Sequence, residues 1–151
     1  MTKIMFVCHG NICRSPMAEF ILKKMINDRG LGGEFFVASS ATSTEEIGNS
    51  IYPPAKAELT ARGVEFSREK RAVQLAKSDY EKYDLFIGMD SANIQNINRI
   101  FGGDPEGKIH KLMDYTDRGG DVADPWYSDR FDIAFGDIYD GCEGLLNELG
   151  M

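Results

Sequence analysis

Ile4-Met5-Phe6-Val7, an apolar run of strand length, leads straight into Cys8-His9-Gly10-Asn11-Ile12-Cys13-Arg14-Ser15-Pro16, after which apolar residues recur at helical spacing. A strand feeding a helix through a tight loop is the first half of a crossover unit, so this short segment narrows the fold more than any other feature. It also carries a definite chemistry. The loop amides and the N-terminus of the following helix attract an anion the size of a phosphate dianion. Arg14 adds a planar fork that matches two phosphate oxygens. The same positive field stabilises a thiolate, the nucleophilic form of cysteine. Ser15 reads as the helix N-cap, and Pro16 suits the first helical turn. Taken singly, Cys8 reads as a core thiol at a strand end and Arg14 as a surface cation. A cation at a helix start is disfavoured, however, and needs a compensating anion.

The remainder of the chain alternates strand and helix. The first strand is expected over residues 3–7 and the first helix over 15–28, with Gly30 as its stop. A second strand covers 35–39 and a second helix 54–62, stopped by Gly63. A short helical turn at 79–83 precedes a third strand at 85–89. Asp90 or Ser91 caps the next helix, which ends near Gly102-Gly103, and a fourth strand covers 109–113. Residues 114–130 read as one long Asp- and Gly-rich loop. The last helix starts near Asp129, with Phe135, Ile138, Cys142, Leu145 and Leu149 on one face. This order predicts a single α/β domain over 1–151: a four-stranded parallel sheet flanked by helices, flavodoxin-like or Rossmann-like and doubly wound. In such sheets ligands bind beyond the carboxyl ends of the strands. Cys8 stands at one such end, and the loop after the fourth strand leaves the sheet at the same edge, where Asp124 can reach it. A structureless loop of that length is often functional.

Composition narrows the partners. The formal charge of −7 argues against nucleic acid or an anionic membrane, so phosphate binding must rely on a local positive field. No apolar stretch approaches the roughly 20 residues a membrane span needs, and no cleavage-type region follows the first strand. Three cysteines make no disulfide framework and point to a reducing, cytoplasmic setting. The two histidines, His9 and His110, have no zinc-like pairing with cysteine, and the Asp-rich loop lacks calcium-hand spacing; no metal or cofactor is expected.

The loop from Cys8 to Pro16, together with Asp124-Pro125-Trp126-Tyr127 far along the chain, resembles the low-molecular-weight protein tyrosine phosphatases. Thr42-Ser43 with Ile47-Gly48, Tyr83-Asp84 leading to Met89-Asp90 and Asn93, and Lys108-Ile109 extend the likeness over nearly the whole length. The resemblance implies hydrolysis of phosphotyrosine in proteins through a cysteinyl phosphate, with Cys8 as nucleophile, Arg14 binding the transferring group and Asp124 as general acid. It implies a cradle of amides from His9, Gly10, Asn11, Ile12, Cys13 and Arg14. Asn11 would hold the loop in a left-handed geometry, one that asparagine tolerates, and Ser15 would hydrogen-bond the thiolate. Ile12, Trp126 and Tyr127 would form the substrate rim, and Cys13 would form a reversible disulfide with Cys8 that protects it from over-oxidation. Read without the resemblance, Asp124-Pro125 is a common turn, Cys13 is packing, and Trp126 and Tyr127 are core aromatics. Phosphotyrosine-bearing proteins follow as substrates, with a cognate tyrosine kinase as a candidate partner, and Tyr115 and Tyr139 read as exposed.

Three positions depart from the family pattern. Glu45 replaces a frequent aromatic and disfavours acidic phosphopeptides. Lys70 replaces a histidine that commonly supports the loop asparagine, and a charged lysine accepts no hydrogen bond. Ile12 stands where relatives acting on phosphoarginine tend to carry threonine, which favours phosphotyrosine. Two other functions compete. An arsenate reductase would need a further cysteine to pass a disulfide outward, and only Cys142, on a packed helical face, remains. A phosphate-binding module would need the cradle but neither nucleophile nor acid.

Overall fold

The central sheet is built on that first apolar run. The computed structural model describes all 151 residues. Strand β1 spans Thr2–Cys8, β2 Phe35–Ala41, β3 Leu85–Gly88 and β4 Ile109–Lys111. All pairings are parallel, in the order β2-β1-β3-β4. The helices are α1 (Arg14–Asp28), α2 (Pro53–Ala61), α3 (Ser91–Phe101), α4 (Pro125–Ser128) and α5 (Phe131–Glu148), with 3₁₀ turns at Lys77–Glu81 and Leu112–Tyr115. The predicted doubly wound α/β sheet is therefore the observed one. The unbroken apolarity of Ile4 to Val7 follows from this topology, because both faces of the strand are covered. Ile4 and Phe6 enter the larger core beneath α1, α2 and α5. Met5 and Val7 enter a smaller one with Phe86, Tyr80, Ile97 and Phe101 under α3. Each large side chain withdrawn in this way contributes about 1.5–3 kcal/mol.

The chain leaves β1 toward β2 on one side and reaches β3 on the other, so the strand order reverses beside β1. A crevice opens at such a switch point, beyond the carboxyl end of the strand. Cys8, the last residue of β1 and paired in register with Ala41, stands there.

Several boundaries differ from expectation. Ser15 does not cap α1: the cap position is Cys13, with no side-chain bond, and the Ser15 hydroxyl is engaged elsewhere. Strand β4 stops at Lys111 because Leu112 and Met113 reach the core by turning under α5, where a Cβ on Gly141 would collide with Leu112. The same turn leaves Tyr115 half-buried, and only Tyr139 of the expected pair is exposed. The segment 114–130 is not one featureless loop, since it contains this turn and α4. Asp129 adopts φ 59°, a left-handed kink that ends α4 and delays α5 to Phe131. Helix α3 is capped by Asp90, which accepts from the Asn93 amide at 2.8 Å, while Asn93 Oδ1 accepts from the Asp90 amide at 3.3 Å. No helix is long and apolar enough to cross a membrane.

Candidate active site

The loop joining β1 to α1 wraps around the Cys8 sulfur. Asn11 sits at φ 60° and turns the chain back so that its amide points at Cys8 Sγ, 3.3 Å away. The amides of His9, Gly10, Ile12, Cys13, Arg14 and Ser15 donate to no protein group. Backbone donors are ordinarily paired in native proteins, so a run of open ones at a helix N-terminus marks an anion cradle. Gly10 allows the neighbouring loop to close over it, since a Cβ there would lie 3.3 Å from Glu46 Cγ.

A buried network behind the loop fixes this shape. The Asn11 amide nitrogen donates to Ser15 Oγ at 2.8 Å and Ser39 Oγ at 2.9 Å, and its oxygen accepts from the Val73 amide at 3.2 Å. Ser15 Oγ is thus an acceptor from Asn11, and it lies 3.0 Å from Cys8 Sγ and 3.5 Å from the Ser40 carbonyl, the shorter contact being to the sulfur. Ser39 donates in turn to Glu19 at 2.6 Å, and Glu19 also holds Lys23 at 2.6 Å. Lys70 does not touch Asn11. It donates to the Ser39 carbonyl at 3.0 Å and stands 4.0 Å from Glu19. Burial lowers the pKa of its ammonium, with Glu19 opposing that shift. The role expected of a histidine at position 70 therefore falls to two serine hydroxyls and one backbone amide.

Arg14, only 5% exposed, lines the same cleft as Cys8. Its Nη2 donates to Asp90 at 2.8 Å and lies 3.6 Å from Asp124, and its Nη1 donates to the Val122 carbonyl at 3.1 Å. Burial alone would lower the pKa of the guanidinium, but Cys8, Asp124 and Asp90 together outweigh it and raise it. Asp124 is fixed at one carboxylate oxygen by the Trp126 amide at 3.1 Å, which leaves Oδ2 facing Arg14. Burial first, then the charges of Cys8 and Asp124, push the Cys13 thiol up to about 12. All three cysteines are free.

Cys8, Cys13, Arg14 and Asp124 line one cleft of about 500 Å³ together with His9, Gly10 and Ile12. Asn11 and Ser15 lie behind it, fully buried. Trp126, 52% exposed, and Tyr127, 85% exposed, form a wall at the mouth instead of joining the core. Tyr52 braces that wall: its ring centroid is 5.1 Å from that of Trp126, and its amide donates to the Ile12 carbonyl at 2.9 Å. Opposite, Glu45 pairs with His9 at 2.8 Å, so the outer rim is acidic. Sequence reasoning missed Asp90 as the partner of Arg14, Ser39 and Glu19 as supports of Asn11, and Tyr52 as a brace. The signal for Glu19 was a carboxylate on the apolar stripe of the first helix.

The family model described as "Low molecular weight phosphotyrosine protein phosphatase" matches residues 3–151. The low molecular weight phosphotyrosine protein phosphatase of Schizosaccharomyces pombe is 36% identical, the alignment covering 99% of each chain. The low molecular weight protein-tyrosine-phosphatase YfkJ of Bacillus subtilis is 34% identical over 97% of this chain and 94% of its own. Its crystal structure superposes with a TM-score of 0.95, covering 99% of this chain and 95% of that one. With sequence and sheet matched from end to end, the chain belongs to the low molecular weight phosphotyrosine protein phosphatases, a family of hydrolases.

Proposed function

We propose that this protein hydrolyses phosphotyrosine in proteins by a two-step transfer through Cys8, without a metal. The observation that carries the reading is the run of open amides in the loop that wraps Cys8, with Arg14 lining the same cleft. In the first step the Cys8 thiolate attacks phosphorus and the bond to the phenolic oxygen breaks. That phenol has a pKa of roughly 10 and leaves slowly as an anion, so Asp124 delivers a proton to it. In the second step the Asp124 carboxylate takes a proton from water as the water oxygen attacks phosphorus. The sulfur–phosphorus bond breaks, and the returning thiolate is met by the Ser15 hydroxyl. The amides of residues 9–14 and Arg14 hold the three oxygens whose charge builds in each transition state, and phosphoryl transfer asks for little besides such positioning. Trp126 and Tyr127 stack on the aryl group.

Free thiols suit a cytoplasmic location, and a tyrosine kinase acting on the same proteins is the natural counterpart. Cys142, fully buried with its thiol pKa pushed far up by burial, is no relay for an arsenate reductase. The deciding measurement is the initial rate on matched phosphotyrosine, phosphoserine and phosphoarginine peptides in the presence of a chelator. Phosphotyrosine is expected to dominate with full activity retained. A preference for phosphoarginine, or a rate that vanishes with the chelator, overturns the reading.

The acidic rim adds a second expectation. Glu45 and Glu46 line the mouth, and the only arginine lining it is committed to the cradle. Exposed charge pairs are worth 0.2–1 kcal/mol, so basic residues beside the phosphotyrosine should raise kcat/KM by up to about fivefold over acidic ones. The bias should fade toward 1 M salt, where the Debye length is about 3 Å. Glu45→Gln should weaken it. Peptide pairs of opposite charge measured at two ionic strengths check this, and an unchanged ratio at high salt would assign the preference to shape.

A further inference from the structure

The segment leading to Asp124 is tied down one residue at a time. Asp121 Oδ1 accepts from Lys111 Nζ at 3.0 Å and from the Ser91 amide at 3.2 Å. The Val122 amide donates to the Met89 carbonyl at 2.9 Å, and its own carbonyl accepts from Arg14. These ties hold the segment to β3, β4 and the start of α3. The next one comes from the opposite side: the Ala123 amide donates to Asp137 Oδ2 on α5 at 3.1 Å. Asp137 is 18% exposed, and its other oxygen accepts from Arg118 at 2.9 Å. The Asp124 amide donates to no protein group, and Pro125 has no amide hydrogen to donate. Ala123 is therefore the last backbone donor fixed before Asp124. On the far side, the Asp124 carbonyl accepts from Tyr127 at 3.3 Å and Ser128 at 3.4 Å within α4.

We infer that Asp137 is a positioning residue for Asp124: its carboxylate sets the Ala123–Asp124 backbone, and thereby the reach of Asp124 to the leaving oxygen. This rests on the reading of Asp124 as general acid. A charged acceptor makes a shorter and stronger hydrogen bond to an amide than a neutral one. Misplacement of a catalytic group by 1 Å costs on the order of 10²-fold. Asp137 touches neither the cleft nor substrate, so it acts only through the loop.

The test is the dependence of kcat/KM, which reads only the step in which the phenol leaves, on the leaving group across a series of aryl phosphates, measured on the full chain. Asp137→Ala is expected to slow esters of ordinary phenols by about ten- to hundredfold and esters of strongly acidic phenols by no more than about twofold, because the latter need no proton. Asp137→Asn, which keeps an acceptor for Ala123, should recover most of the loss. Arg118→Met, which removes the ion pairs to Asp137 and Asp140 but leaves the Ala123 acceptor, should show no such split. Equal slowing of all esters by Asp137→Ala, or the same split from Arg118→Met, overturns the proposal. Should Asp137→Ala not fold by circular dichroism, Asp137→Glu decides. It keeps the charge but lengthens the arm, and it must show the split, a wild-type profile being fatal. Asp124→Asn in the same series tests the underlying reading separately: if that variant shows no leaving-group dependence, the general acid is wrong, whatever Asp137 does.

Discussion

Cys8→Ser is expected to abolish turnover of aryl phosphates while leaving phosphate binding intact. A serine hydroxyl needs a base to become a nucleophile; His9 stands at the rim, engaged with Glu45, and on the proposed mechanism Asp124 enters that step protonated, as the acid. The cradle should survive the change. Its donors are backbone amides, and the loop is shaped by Asn11 through Ser15, Ser39 and Val73, not by the sulfur. Steady-state rates on p-nitrophenyl phosphate, with calorimetric titration of inorganic phosphate, check both halves. Full activity in the variant refutes Cys8 as nucleophile. A lost rate together with lost phosphate binding would show only that the loop had collapsed.

Asp124→Asn is the second large effect. General acid catalysis contributes about 10²–10⁴-fold, so kcat/KM on phenyl phosphate, which reads only the step in which the phenol leaves, should fall by that order, and esters with strongly acidic leaving groups should lose far less. Asparagine is the informative replacement because Asp124 also caps α4 through the Trp126 amide. Asn and Asp cap helices about equally well, whereas alanine costs about 1 kcal/mol at such a position. A loss confined to poor leaving groups isolates proton delivery. An equal loss for all esters means that Asp124 serves through its charge beside Arg14, 3.6 Å away.

Much of this architecture is legible in the chain itself. The strand, loop and helix from Ile4 to Asp28 are written in consecutive residues, and the alternation of periods predicts the parallel sheet. Legibility fails where one residue serves two ends. Ser15 before Pro16 has the signature of a cap, but its hydroxyl is drawn to the sulfur by Asn11. Asp90 explains itself as the cap of α3, which hides its second oxygen on Arg14. Glu19 pairs with Lys23 four residues on, like any solvated helical pair, yet its other oxygen holds Ser39 in the interior. Strand β4 reads too long because Leu112 and Met113 are apolar for a different reason, the underside of α5. The partnership of Ala123 with Asp137 leaves no trace at all, since one of its members is a main-chain amide.

The open amides of the Cys8 loop also bear on how such a protein diverges. Its six open donors belong to the path of the chain and not to any side chain, so exchanges at His9 or Ile12 cannot delete a donor unless they introduce proline. Lineages are therefore free to redraft the vestibule residue by residue, adapting to new clients, while the row of open donors passes down unaltered.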